Sequence, residues 1–109
     1  MAYICNASAT PVKGARYFPC TLIDEESGNK IKIEMKEPKL KVYRMFENLG
    51  DNPSIEDMLQ IASKMLSSNK TDIEVTTEFL EDNLTLEDIS QLFEDFTDWL
   101  SNTRMSDPN

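Results

Sequence analysis

The side chains of this sequence best suited to acid–base or metal chemistry are its carboxylates. Twenty Asp and Glu stand against eleven Lys and Arg, and histidine is absent. Carboxylates that converge in a cleft can hold a hard divalent cation or share the acid and base roles of a hydrolase. Glu87, Glu94 and Asp98, with Gln91, fall on one stripe at helical spacing. That stripe diverges toward water instead of converging, and Glu94 and Asp98 repel as like charges four residues apart. It reads as a solvated helix face. The acidic run Glu81 to Phe93 lacks the alternating Asp/Asn spacing and turn glycine of a calcium loop. Cys5 and Cys20 make neither a zinc site nor a disulfide framework, and they read as free, partly buried thiols. No Ser, Cys or Lys sits in a nucleophile motif, and the three glycines are not grouped into a phosphate loop. The expectation is a non-enzyme, with no catalytic residue, metal or cofactor assigned.

The elements that position these groups are clearest at Thr85–Thr103. At 100° steps, Leu86, Ile89, Leu92, Phe93, Phe96, Trp99 and Leu100 share an arc of roughly 140°. Glu87, Asp88, Gln91, Glu94, Asp95 and Asp98 lie opposite. Thr85 is placed to cap the helix, Asp88 to complete a capping box, and Leu84 to staple to Ile89. Phe93, Phe96 and Trp99 thus belong either to the core or to a seam for a partner helix or a second copy of the chain.

Upstream, residues 1–15 hold one short candidate strand, Tyr3-Ile4-Cys5, and otherwise read as a mobile arm. Arg16–Ile23 is β-prone, and Pro19 within it suggests an edge strand or a bulge. Ser27-Gly28-Asn29 pivots a turn into Lys30–Met35, which alternates Ile31, Ile33 and Met35 with Lys30, Lys32 and Glu34. Pro38 opens a helix whose apolar residues, Leu40, Val42, Tyr43, Met45, Phe46 and Leu49, cover over half its circumference, and Gly50 closes it. So broad a face is contacted on two sides or partly exposed for a partner. Ser54 caps a helix carrying Ile55, Met58, Leu59, Ile61, Ala62, Met65 and Leu66 on one face. Asp72–Val75 links to a small helix from Thr76 to about Glu81. Strands before helices imply an α+β fold: an N-terminal β-hairpin or small antiparallel sheet, then three to four helices. One domain spans residues 16–103, and residues 104–109 form a disordered tail.

The net charge of −9 is uneven. Residues 1–50 carry +2 and residues 51–109 carry −11. The acidic half argues against binding nucleic acid, which requires phosphate neutralisation, and it favours basic partners. Opposite charge in the two halves also suits head-to-tail contact between copies, a homo-oligomer of ring or array form. There is no apolar run of membrane-spanning length and no secretory leader pattern at the start. A cytoplasmic protein is expected.

The combination of an Arg-Tyr-Phe-Pro segment at 16–19, a capped Pro-Ser-Ile-Glu-Asp-Met-Leu helix at 53–59 and the run Val75–Phe93 resembles the tail assembly chaperones of long-tailed phages and prophages of Gram-positive bacteria. The resemblance covers roughly residues 15–100 in pattern, and its residue-level content lies mostly in Val75–Phe93. It implies a non-enzymatic protein acting in the host cytoplasm and absent from the mature virion. The implied partners are the tape-measure protein, kept soluble during tail assembly, and tail-tube subunits. Exposed apolar helical surface would hold the client, and Tyr43, Phe46, Phe93, Phe96 and Trp99 are the candidate contacts. The alternative is a small acidic regulator that presents its Glu87–Asp98 face to a basic, nucleic-acid-binding protein.

Overall fold

The computed structural model describes residues 2–5 and 17–105. Three strands, β1 (Tyr3–Cys5), β2 (Tyr17–Ile23) and β3 (Lys30–Lys36), precede four helices, α1 (Leu40–Glu47), α2 (Ile55–Ser67), α3 (Thr77–Asn83) and α4 (Leu86–Met105). The fold is α+β. β2 and β3 form the expected hairpin, in a register running from Tyr17 opposite Lys36 to Ile23 opposite Lys30. Its turn is built by Asp24, whose Oδ1 accepts the amides of Glu26 and Ser27 at 3.0 and 3.4 Å. Gly28 supplies the left-handed step at φ +77°.

Alternation decides which sheet face meets the helices. Phe18, Cys20 and Leu22 of β2, with Ile33 and Met35 of β3, are buried on one side, while Lys30, Lys32, Glu34 and Lys36 remain exposed on the other. Ile61, Ala62, Met65 and Leu66 of α2, Leu80 of α3, and Ile89, Leu92, Phe96, Trp99 and Leu100 of α4 close over the inner face as one core.

Two expectations are corrected, and one is sharpened. Pro19 does not mark an edge strand: β2 is the central strand, in the order β1-β2-β3. The proline is tolerated because β1 pairs only as far as Cys5 opposite Cys20, so Pro19 has just β3 beside it among the described residues. At the chain start the candidate strand Tyr3-Ile4-Cys5 does form. β1 pairs with β2, and Ala2 and Tyr3 are buried, because their apolar surface is covered and their polar atoms are bonded to α4. The remainder of the expected arm, residues 6–15, lies outside the described residues. The last helix continues to Met105, so residues 104 and 105 belong to it and not to a tail, and residues 106–109 are outside the description.

α1 starts later than Pro38 would place it, with Lys39 at its N-cap, and none of its residues is fully buried. Val42, Tyr43, Met45 and Phe46 are half-buried against the core. The segment after α2 is anchored rather than a plain link. Asn69, almost fully buried, donates from Nδ2 to the carbonyls of Leu66 and Ile73 and accepts at Oδ1 from the amides of Thr71 and Ile73. The Lys36 amide donates to the Ser68 carbonyl, and the Lys70 amide to that of Glu34, so 68–70 runs beside β3. Ser63 and Ser67 hydroxyls then hold the Val75 carbonyl at 2.6 and 3.0 Å.

Candidate functional site: an apolar cleft between two helix starts

Two helices begin next to each other with an aliphatic residue in the first position. At α2, the Ser54 hydroxyl accepts the Asp57 amide at 3.1 Å. At α4 the capping box is complete. The Asp88 amide donates to Thr85 Oγ1, and Asp88 Oδ2 accepts the Thr85 amide, each at 3.1 Å. Because caps specify both starts, the residues just inside them, Ile55 and Leu86, are not needed to define the helices. They remain 62% and 57% exposed.

Between them lies a cleft of about 130 Å³ lined by Ile55, Met58, Leu59, Leu84, Leu86 and Ile89, with Glu81 and Thr85 at its rim. Met58 and Ile89 are buried and belong to the core, whereas Leu59 and Leu84 are half-buried. Glu56 and Asp57 stand in the first turn of α2, and Glu87 in that of α4, each next in sequence to a lining residue. Such an arrangement offers a concave, mainly apolar surface with one carboxylate, Glu81, among its lining residues, of the kind that can seat a ligand or a partner side chain.

A second, wider hollow of about 680 Å³ is lined by Asp24, Glu25, Glu26, Glu78 and Asp82, among others. Among the described residues, no group of three or more His, Cys, Asp or Glu side chains is placed to hold a metal ion. Among the same residues, no helix is long and apolar enough to cross a membrane.

The five aromatic candidates divide. Phe96 and Trp99 are buried, stacked at 5.8 Å, and each meets the ring of Phe18 edge-on, at 5.9 and 5.8 Å. They are core residues, Phe96 fully buried and Trp99 nearly so. Phe46 and Phe93 are half-buried and pack on each other at 5.3 Å, with Phe46 also 6.1 Å from Phe96. These rings seat α1 on α4. Tyr43 is half-buried on the same helix. Periodicity places Ile55 and Leu86 on the apolar faces of their helices, and the structure leaves both exposed at the cleft. The available signal was their position: the first residue after a cap sits at the end of a helix, where a short sheet does not reach.

The polar side of α4 is also less wet than periodicity implies. Asp88 is buried, its Oδ2 also accepting the Ala2 amide at 3.4 Å. Asp95 accepts the Tyr3 hydroxyl at 2.9 Å. Desolvation, then the carboxylate acceptor, pushes the Tyr3 phenol far above its ordinary value. Burial pushes the Cys20 thiol up to about 12.

No family model, no curated protein and no solved structure matches the chain.

Proposed function

We propose that this chain is a non-enzymatic tail assembly chaperone of a long-tailed phage or prophage, acting in the bacterial cytoplasm on the tape-measure protein and tail-tube subunits. The observation that carries the reading is the exposed pair Ile55 and Leu86 flanking an apolar cleft. Three of the cleft residues, Leu84, Leu86 and Ile89, come from the same Val75–Phe93 run on which the family resemblance rests. A chaperone of this kind needs adaptable apolar surface that does not unfold it when unoccupied, and capped helix starts supply that. On this reading the client contacts are the cleft residues Ile55 and Leu86 instead of the buried Phe96 and Trp99.

The test is co-expression with the tape-measure protein, followed by affinity capture of the full chain. Ile55→Ser/Leu86→Ser forgoes the transfer of the two side-chain portions still in water, about 1–1.5 kcal/mol each. Capture should weaken by roughly 30- to 150-fold, with the melting temperature held within a few degrees. Replacing the acidic stripe by Glu87→Gln/Glu94→Gln/Asp98→Asn should leave capture intact. If the stripe variant abolishes capture and the cleft variant does not, the acidic-regulator reading takes its place.

A further inference from the structure

Cys5 and Cys20 are direct cross-strand partners in β1 and β2. The Ile23 amide donates to the Ala2 carbonyl at 2.8 Å, which makes Ala2 and Ile23 a hydrogen-bonded pair of this antiparallel ladder. Hydrogen-bonded and non-hydrogen-bonded pairs alternate, so Ile4–Thr21 is of the first kind and Tyr3–Leu22 and Cys5–Cys20 are of the second. In non-hydrogen-bonded pairs the Cα atoms stand about 4.5 Å apart with the side chains turned toward each other. That separation lies within the roughly 4.4–6.8 Å a disulfide bridges. Both thiols are free, with Cys5 half-buried and Cys20 buried.

We propose that Cys5 and Cys20 are a reversible oxidation site, closing to a cross-strand disulfide when the chain meets a low-molecular-weight disulfide oxidant. The Cys5 thiolate, the more accessible of the two, attacks one sulfur of the oxidant. The oxidant's S–S bond breaks and one thiol leaves with a proton. Cys20 then loses its proton and its sulfur attacks Cys5 Sγ, expelling the second thiol, which takes up that proton. Two protein thiols are oxidised and one small disulfide is reduced to two thiols. The high pKa of Cys20 makes the second step the slow one, since only the thiolate attacks. The bridge would lock β1, and with it the contacts of Ala2 to Asp88 and Tyr3 to Asp95, onto the central strand.

The probe is oxidised glutathione, added to the full chain under nitrogen, with free thiols counted by maleimide labelling and mass spectrometry. Expected are a monomer lighter by two hydrogen atoms, closure that speeds up with pH, and a melting temperature raised by about 10 °C that dithiothreitol reverses. Cys5→Ser, altered at a half-buried position, should show no oxidant-dependent rise. The proposal is overturned if both thiols stay titratable, if Cys5 stops at the glutathione adduct, or if bridges form only between chains.

Discussion

Replacing Phe96 with alanine distinguishes a core ring from an interface ring. Phe96 is fully buried and touches three rings: Phe18 and Phe46 edge-on, and Trp99 in a stack. Truncating such a ring costs about 3–5 kcal/mol through lost transfer energy and the cavity left behind. A domain of this length has only about 5–15 kcal/mol in total, so Phe96→Ala should remove a large part of it. Phe93→Ala is the matched control, on the same helix but half-buried and ring-packed on Phe46. Its cost should be about 1–2 kcal/mol. Urea unfolding followed by Trp99 fluorescence reads both. With a slope of about 1–3 kcal/mol per molar, Phe96→Ala should lower the midpoint by roughly 2 M and Phe93→Ala by under 1 M. If Phe96→Ala costs less than about 1.5 kcal/mol at an unchanged slope, the ring is not core and belongs again among the partner contacts.

Two further outcomes follow from buried polar groups. Asn69→Ala removes a side chain that bonds the carbonyls of Leu66 and Ile73 and the amides of Thr71 and Ile73. It should cost about 2–4 kcal/mol, with hydrogen-exchange protection lost first at the Ile73 amide. Raising pH should destabilise the reduced protein in two stages. Cys20 holds its proton in the fold to about pH 12, whereas the unfolded thiol releases it near pH 8.5–9. Between those values the unfolded state binds fewer protons, so stability falls with pH, by at most ~1.4 kcal/mol per unit. Tyr3 is shifted in the same direction and adds a second slope above its ordinary value of about 10. Urea midpoints taken from pH 7 to 11 measure this, and Tyr3→Phe should abolish only the upper stage.

What could be read from the sequence was local. Alternation at Lys30–Met35 located β3, Ser54 and Thr85 marked two helix starts, and the apolar stripe from Leu86 to Leu100 defined α4. What escaped depends on residues far apart in the chain. Asp88 and Asp95 fall on the polar side of α4 by periodicity. Asp88 is buried and Asp95 half-buried because Ala2 and Tyr3, 86 and 92 residues away, arrive at the start of β1 and bond to them. Tyr3-Ile4-Cys5 reads locally as a short strand, but nothing local says which strand it pairs with or that it lies against α4. The edge assignment for Pro19 failed likewise: a proline's tolerance depends on how far the neighbouring strand extends, which only the tertiary pairing reveals.

Burial of Phe96 and Trp99 also changes how α1 can act. Phe46 packs on Phe93 and Phe96, so the aromatic part of its broad apolar face holds the helix to α4. Leu40, at its first position, is left 80% exposed. Leu40, Ile55 and Leu86 thus share one situation: an aliphatic side chain at a helix start, where the core does not reach. Only Ile55 and Leu86 share a cleft. The carboxylates that follow Ile55 and Leu86 in sequence, Glu56, Asp57 and Glu87, have a local role. In the first turns of α2 and α4 they favour the helices by facing the positive ends of the dipoles. Among the acidic residues only Glu81 lines the cleft itself, so its floor is apolar and the groups that would decide how long anything stays there are Ile55, Leu86 and the aliphatic side chains between them.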